Sequence, residues 1–86
     1  MIMKRFNYTD LKGKKTTRIV HPIGIIDDKM FCVDLSEYTA EEREEFMYVL
    51  DSIHKQYISA IKEVGLSSNF RNFFIDKMTE VEILKK

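Results

Sequence analysis

The sequence predicts an α+β fold, a small and strongly bent antiparallel β-sheet of about five strands with one long amphipathic helix inserted between strands 3 and 4. Three observations carry that prediction. Residues 2–35 and 70–84 are dominated by runs that alternate from one side to the other, the pattern of strands. Between them, Phe46, Leu50, Ile53, Tyr57, Ala60 and Val64 recur at steps of four and three, which puts them on one stripe of a helix. Pro22 and Gly24 interrupt the longest β-like run, and neither suits the middle of a regular ladder.

In chain order, Ile2, Lys4, Phe6 and Tyr8 alternate with Met3, Arg5 and Asn7, which suits a first strand with one buried face. Thr9-Asp10-Leu11-Lys12-Gly13 supplies turn residues. Thr16 to Ile26, rich in β-branched residues, forms the second strand, bent or at an edge near Pro22 and Gly24. A sharp bend of this kind is one way a small sheet curls toward a barrel. Asp27-Asp28 make the next turn, and Met30 to Leu35 form the third strand.

The helix is predicted over residues 39–65. Thr39 followed by Glu42 is a capping-box spacing, and Glu41, Glu42, Glu44 and Glu45 lie where the helix dipole favours negative charge. Gly65 supplies a left-handed end. Such a helix would be roughly 37 Å long, against a radius of gyration of about 12 Å for a chain of this size, so it overhangs its domain, bends, or covers a second subunit. Ser67-Ser68-Asn69 connect it to Phe70–Asp76, whose aromatics on both faces predict a central strand. Thr79 to Leu84 makes the fifth strand.

Eighty-six residues predict a single domain, 1–86. With 44% hydrophobic and 33% charged residues, the composition is that of a soluble globular protein and excludes a disordered chain. No apolar run approaches the roughly 20 residues of a membrane span, and the start, Met-Ile-Met-Lys-Arg, does not read as a secretory signal. Cys32 is the single cysteine, so an intrachain disulfide is excluded and a cytoplasmic location is expected. Net charge is zero but unevenly placed: residues 1–35 carry seven Lys/Arg against four Asp/Glu, and residues 36–55 carry two against six. That asymmetry has two readings, a nucleic-acid surface screened on one side or the ordinary solvation of a sheet edge and a helix start.

Phe6-Asn7-Tyr8-Thr9-Asp10, then Gly13, then Arg18-Ile19-Val20-His21-Pro22-Ile23-Gly24-Ile25 resembles the opening of a WYL domain, in which an aromatic strand, a Gly turn and an Arg-x-x-x-Pro strand follow one another. Phe70-Arg71-Asn72-Phe73-Phe74-Ile75-Asp76-Lys77-Met78 resembles the closing pattern of that family. The two matched segments cover about half the chain. The resemblance implies a divergent, stand-alone, Sm-like β-barrel acting as a regulatory sensor of nucleic acid or a nucleotide-like ligand, with Tyr8, Arg18, His21, Arg71 and Lys77 facing the ligand. Departures from the pattern are Met30-Phe31-Cys32 at the family's naming tripeptide, the absence of a winged helix before the barrel, and the long helix.

Residue chemistry is consistent with a site of that kind. Arg18 and Arg71 lie inside strands, where a guanidinium is costly unless it is paired or opens onto a groove. Converging, they would present planar forks to a phosphate; the alternative is pairing with Asp34 or Asp76, or exposure to water. Tyr8, Phe6 and Phe31 are either stacking faces for bases or core. His21, His54 and Cys32 share no metal-ligand spacing, so no metal is expected. Cys32 reads as a small buried hydrophobe. There is no phosphate-cradling glycine loop and no serine elbow, so neither a cofactor nor an enzymatic activity is expected.

Met47, Tyr48, Val49, Ile58 and Ile61 widen the helix's apolar surface beyond one stripe, which predicts a homodimer through helix residues such as Phe46, Leu50, Ile53 and Tyr57. The leading expectation is a non-catalytic regulatory or adaptor module binding nucleic acid or a nucleotide-type ligand. The alternative is a protein–protein interaction module, of accessory or phage-inhibitor type, that works through the helix and has no ligand site.

Overall fold

A computed structural model describes residues 2–51, 65 and 69–85. Strands β1 (Met3–Thr9), β2 (Lys15–Ile26) and β3 (Lys29–Asp34) precede helix α1 (Ala40–Asp51), and β4 (Phe70–Phe74) and β5 (Met78–Lys85) follow it. All five strands pair antiparallel in one sheet of order β4-β3-β2-β1-β5.

The first turn is built by Asp10. Its Oδ1 accepts from the backbone N–H groups of Lys12 and Lys14, each at 2.9 Å, while Gly13 takes the left-handed conformation at φ +81°. Asp27 makes the β2–β3 turn at φ +55°, a conformation Asp tolerates better than most residues.

The bend expected in the second strand is present. The β2–β3 register shifts between Pro22 and Gly24, so one extra residue of β2 lies opposite β3 there. A second irregularity lies between Arg5 and Asn7 on β1, opposite a β5 segment in which Glu80 has φ +52°. Bulged strands coil, and the coiling is large. In a flat sheet, β4 and β1 would lie about 14 Å apart, three strand spacings. Instead the Phe73 ring on β4 meets Tyr8 at 4.8 Å and Phe6 at 5.3 Å, and the Phe74 N–H donates to the Tyr8 hydroxyl at 3.1 Å.

The curled sheet is not closed into a barrel: among the described residues no ladder joins β4 to β5. Nor is β4 central, as its aromatics on both faces had predicted. It pairs with β3 alone and ends at Phe74, and Ile75–Lys77 form a single 3-10 turn. Its two apolar faces have another cause. Phe73 fills the concave side, while Phe70 stacks on Phe31 on the convex side, with centroids 5.3 Å apart.

Each face of the sheet therefore has its own core. The concave core is Phe6, Tyr8, Val20, Met30, Cys32 and Phe73. The convex core is Met3, Val33, Leu35 and Met47, flanked by Ile19, Ile23, Tyr38, Phe46 and Phe70. Helix α1 covers this second core. The Thr39–Glu42 box forms as the sequence predicts: the Thr39 N–H donates to Glu42 Oε1 at 2.9 Å, and the Glu42 N–H donates to Thr39 Oγ1 at 3.2 Å. Phe46 is half-buried edge-on to Tyr38 and Met47 is buried, whereas Tyr48 is 78% exposed. Phe46 thus packs on its own sheet. The Leu50 side chain, together with Ile53, Tyr57, Ala60 and Val64, lies outside the described residues, as do residues 52–64 of the helix predicted over 39–65. Gly65 has the left-handed φ expected of it, +80°. Among the described residues, no helix is long and apolar enough to cross a membrane.

Candidate functional site

Ladder register decides which side chains share the concave face. Arg18 sits opposite Phe6, Asp34 opposite Val20, and Arg71 opposite Cys32. Val20 is two residues from Arg18, and Cys32 is two residues from Asp34, so all three charged groups project from the same side. They line one cleft of about 290 Å³ together with Ser36, Glu37 and Asn69, where β3 ends and β4 begins.

Arg18 is tied down at both ends of its guanidinium. Nη1 donates to Asp34 Oδ2 at 2.9 Å and Nε donates to Thr16 Oγ1 at 3.0 Å, while Cζ stands 5.5 Å over the Phe73 ring. The cation therefore lies over an aromatic ring of the core, where the ring quadrupole favours it. Asp34 is nearly buried, and its other oxygen accepts from the Ser36 N–H at 3.0 Å and from the Ser36 hydroxyl. Ser36 in turn accepts from the Ile19 N–H at 2.8 Å, which fixes the turn after β3 to the middle of β2.

Asn69 is buried and closes the opposite wall. Its Nδ2 donates to the Asp34 carbonyl at 3.0 Å and to Glu37 Oε1 at 2.7 Å. Arg71 is exposed at the rim, with Nη1 donating to the Phe70 carbonyl at 2.8 Å. Two cations and two carboxylates thus face one small space, with a hydroxyl and an amide between them. Both of the alternatives read for Arg18 hold together: it pairs with Asp34 and it opens onto a groove.

Cys32 lies beneath this wall, fully buried, with its thiol 3.6 Å from the Arg71 carbonyl oxygen. Burial pushes that thiol from its ordinary value of 9.0 up to about 12; neighbouring Asp34 adds to the rise, and Arg71 and Arg18 oppose it. It stays protonated at neutral pH, as a small buried hydrophobe would.

The other three side chains expected at a ligand site lie elsewhere. Tyr8 belongs to the concave core, and its hydroxyl is taken by the Phe74 N–H. It also lines a separate, shallow cleft of about 500 Å³ with Asn7, Thr9, Lys15, Thr16, Thr17, Thr79 and Glu80. His21 is buried, and its Nδ1 lies 2.5 Å from the Ile2 carbonyl oxygen, to which the ring N–H donates. Its strand partner is Val33, so it projects from the convex face, away from the arginines. Lys77 sits in the 3-10 turn and lines neither cleft.

Sequence reasoning passed over Ser36, Glu37 and Asn69 as site residues. The pair Asp34-x-Ser36 after a strand was a usable signal, because an Asp side chain commonly captures the N–H two residues on. Among the described residues, no three His, Cys, Asp or Glu side chains are grouped to hold a metal ion. Comparisons with protein-family models, with characterised proteins and with solved structures find no match to this chain.

Proposed function

We propose that this chain is a non-catalytic regulatory or adaptor module whose cleft binds a nucleotide-type anion. The observation that carries the reading is that Arg18 and Arg71, from two different strands, line one cleft with hydrogen-bonding neighbours. The cleft's size and charge favour a single nucleotide over a nucleic-acid strand. Its volume, about 290 Å³, is at the lower end for small-molecule sites, and its two carboxylates offset the field a polyanion would require. The resemblance of residues 6–35 and 70–84 to WYL domains supports the same class of ligand. Of the other residues that resemblance implies, Tyr8 and His21 would act through the fold, and Lys77 has no part in this cleft. We place the module in the cytoplasm, where its thiol stays reduced.

Calorimetric titration with nucleoside 5′-monophosphates and with a short single-stranded oligonucleotide tests this. Binding that weakens with salt and is lost in an Arg18→Ala, Arg71→Ala double variant is the expected result. A wild-type protein that binds neither probe at low salt would overturn it.

A second reading, a protein-interaction module, is favoured by apolar side chains on a strand that has one unpaired edge among the described residues. On β5, Val81 and Ile83 are about half exposed and Leu84 is 36% exposed; at the β2–β3 tip, Ile25 and Ile26 are more than 60% exposed. A homodimer through the helix belongs to this reading as well, and sedimentation of wild type against Tyr48→Glu tests it.

A further inference from the structure

We infer that Glu37 makes the cleft selective for ribose, so that the site takes a ribonucleoside monophosphate in preference to its deoxy counterparts. The inference rests on the nucleotide reading above and adds to it which part of the nucleotide is read.

The two carboxylates of the cleft are not equivalent. Asp34 is nearly buried and engaged on both oxygens, by Arg18 on one and by Ser36 on the other. Its work is internal: it orients Arg18 and shapes the turn. Glu37 is exposed at the cleft, yet it does not swing freely, because the buried Asn69 amide donates to its Oε1 at 2.7 Å. That same amide group is anchored on the Asp34 carbonyl at 3.0 Å. An exposed carboxylate is therefore held in place from below. A carboxylate offers about four acceptor positions, and Asn69 uses one of them.

Cations and a held carboxylate in one small cleft suit a ligand with an anion at one end and a pair of donors at the other. A ribose 5′-phosphate unit has that polarity. Its phosphate suits the forked donors of Arg71 and Arg18, and its adjacent 2′- and 3′-hydroxyls can donate together to the two oxygens of one carboxylate. Carboxylate-to-ribose recognition is a general solution for nucleotide sites, because an acceptor-only group rejects a sugar that has lost its donors. Inorganic phosphate would satisfy only the arginine end.

The test uses the intact chain and calorimetry at low salt. The probes are the ribonucleoside 5′-monophosphates, their 2′,3′-dideoxy counterparts and inorganic phosphate. Wild type should bind a ribonucleotide at least about tenfold more tightly than its dideoxy counterpart, the size expected for hydrogen bonds to a charged acceptor. Glu37→Ala should erase that ratio while leaving phosphate binding unchanged or tighter, with an unfolding midpoint lowered only by the loss of the Asn69 hydrogen bond that Glu37 accepts. Equal affinities for the two sugars in wild type, with binding still dependent on Arg71, would overturn the Glu37 inference and leave the cleft reading standing. A ratio that survives Glu37→Ala would also overturn it, by placing the selection on another residue. Absence of binding to every probe would overturn both readings.

Discussion

Replacing Asp34 by Asn separates the two roles of the Arg18–Asp34 pair. The asparagine oxygen can still accept from the Ser36 N–H, now 3.0 Å from Asp34 Oδ1, so the turn after β3 is kept. Its amide then faces Arg18 Nη1, where the carboxylate oxygen stood at 2.9 Å, and two donors cannot share that contact. Arg18 loses a charge-assisted hydrogen bond, which costs about 1–3 kcal/mol; its side chain is one-third exposed, so solvent screening places the cost toward the lower end. The cation keeps Thr16 and the Phe73 ring and turns its freed N–H toward the cleft. Removing one negative charge about 4 Å from a bound anion is worth about 1 kcal/mol in a water-like dielectric and about 4 at an effective value of 20. Anion affinity should therefore rise, by about fivefold at least. Urea denaturation measures the first effect, and phosphate or nucleotide titration at low salt measures the second. A variant that is destabilised and also binds the anion more weakly would refute the reasoning, because Asp34 would then be required for binding rather than competing with it.

Other perturbations have equally definite outcomes. Phe73→Ala removes a ring that touches Phe6, Tyr8 and Arg18 across the curl of the sheet; denaturant unfolding should register a loss of about 3–5 kcal/mol, and a loss below about 1 would mean that β4 is an ordinary exposed edge. Thr39→Ala removes half of the capping box and should cost about 0.5–2 kcal/mol by the same assay. Cys32 gives a pH signature. Its thiol holds its proton more tightly folded than unfolded, so its contribution is complete below pH 9 and is lost as pH rises toward about 12. Wild-type stability should fall more steeply than that of Cys32→Ala across that range, by about 1.4 kcal/mol per pH unit; parallel curves would contradict the thiol's burial.

Much of the fold was written locally, in residues whose conformational preferences act over a few positions. The Asp10–Gly13 turn, the Thr39–Glu42 box and the break at Pro22–Gly24 each form where the chain reads them. Strand alternation also held information on the site: His21 shares parity with Ile19, which puts it on the face opposite Arg18 and Arg71, whereas Tyr8 shares their face and is kept out of that cleft by its packing against Phe6 and Phe73. What alternation could not reveal is curvature. Whether Phe73 meets Phe6 depends on how far two irregular registers coil the sheet, a property of paired strands rather than of any one segment. The position of β4 at an edge was hidden for the same reason, since a curled edge strand is buried on its concave side much as a central one is. The cleft residues Ser36 and Asn69 come from connectors, where no periodicity marks a face.

The most direct test of the central claim is a nuclear magnetic resonance titration that follows the side-chain N–H signals of Arg18, Arg71 and Asn69 as a ribonucleoside 5′-monophosphate is added. The account predicts that all three shift together and saturate with one dissociation constant. Shifts confined to Lys15, Thr17 and Thr79 in the other cleft, or no saturable shift at any of the three, would contradict it.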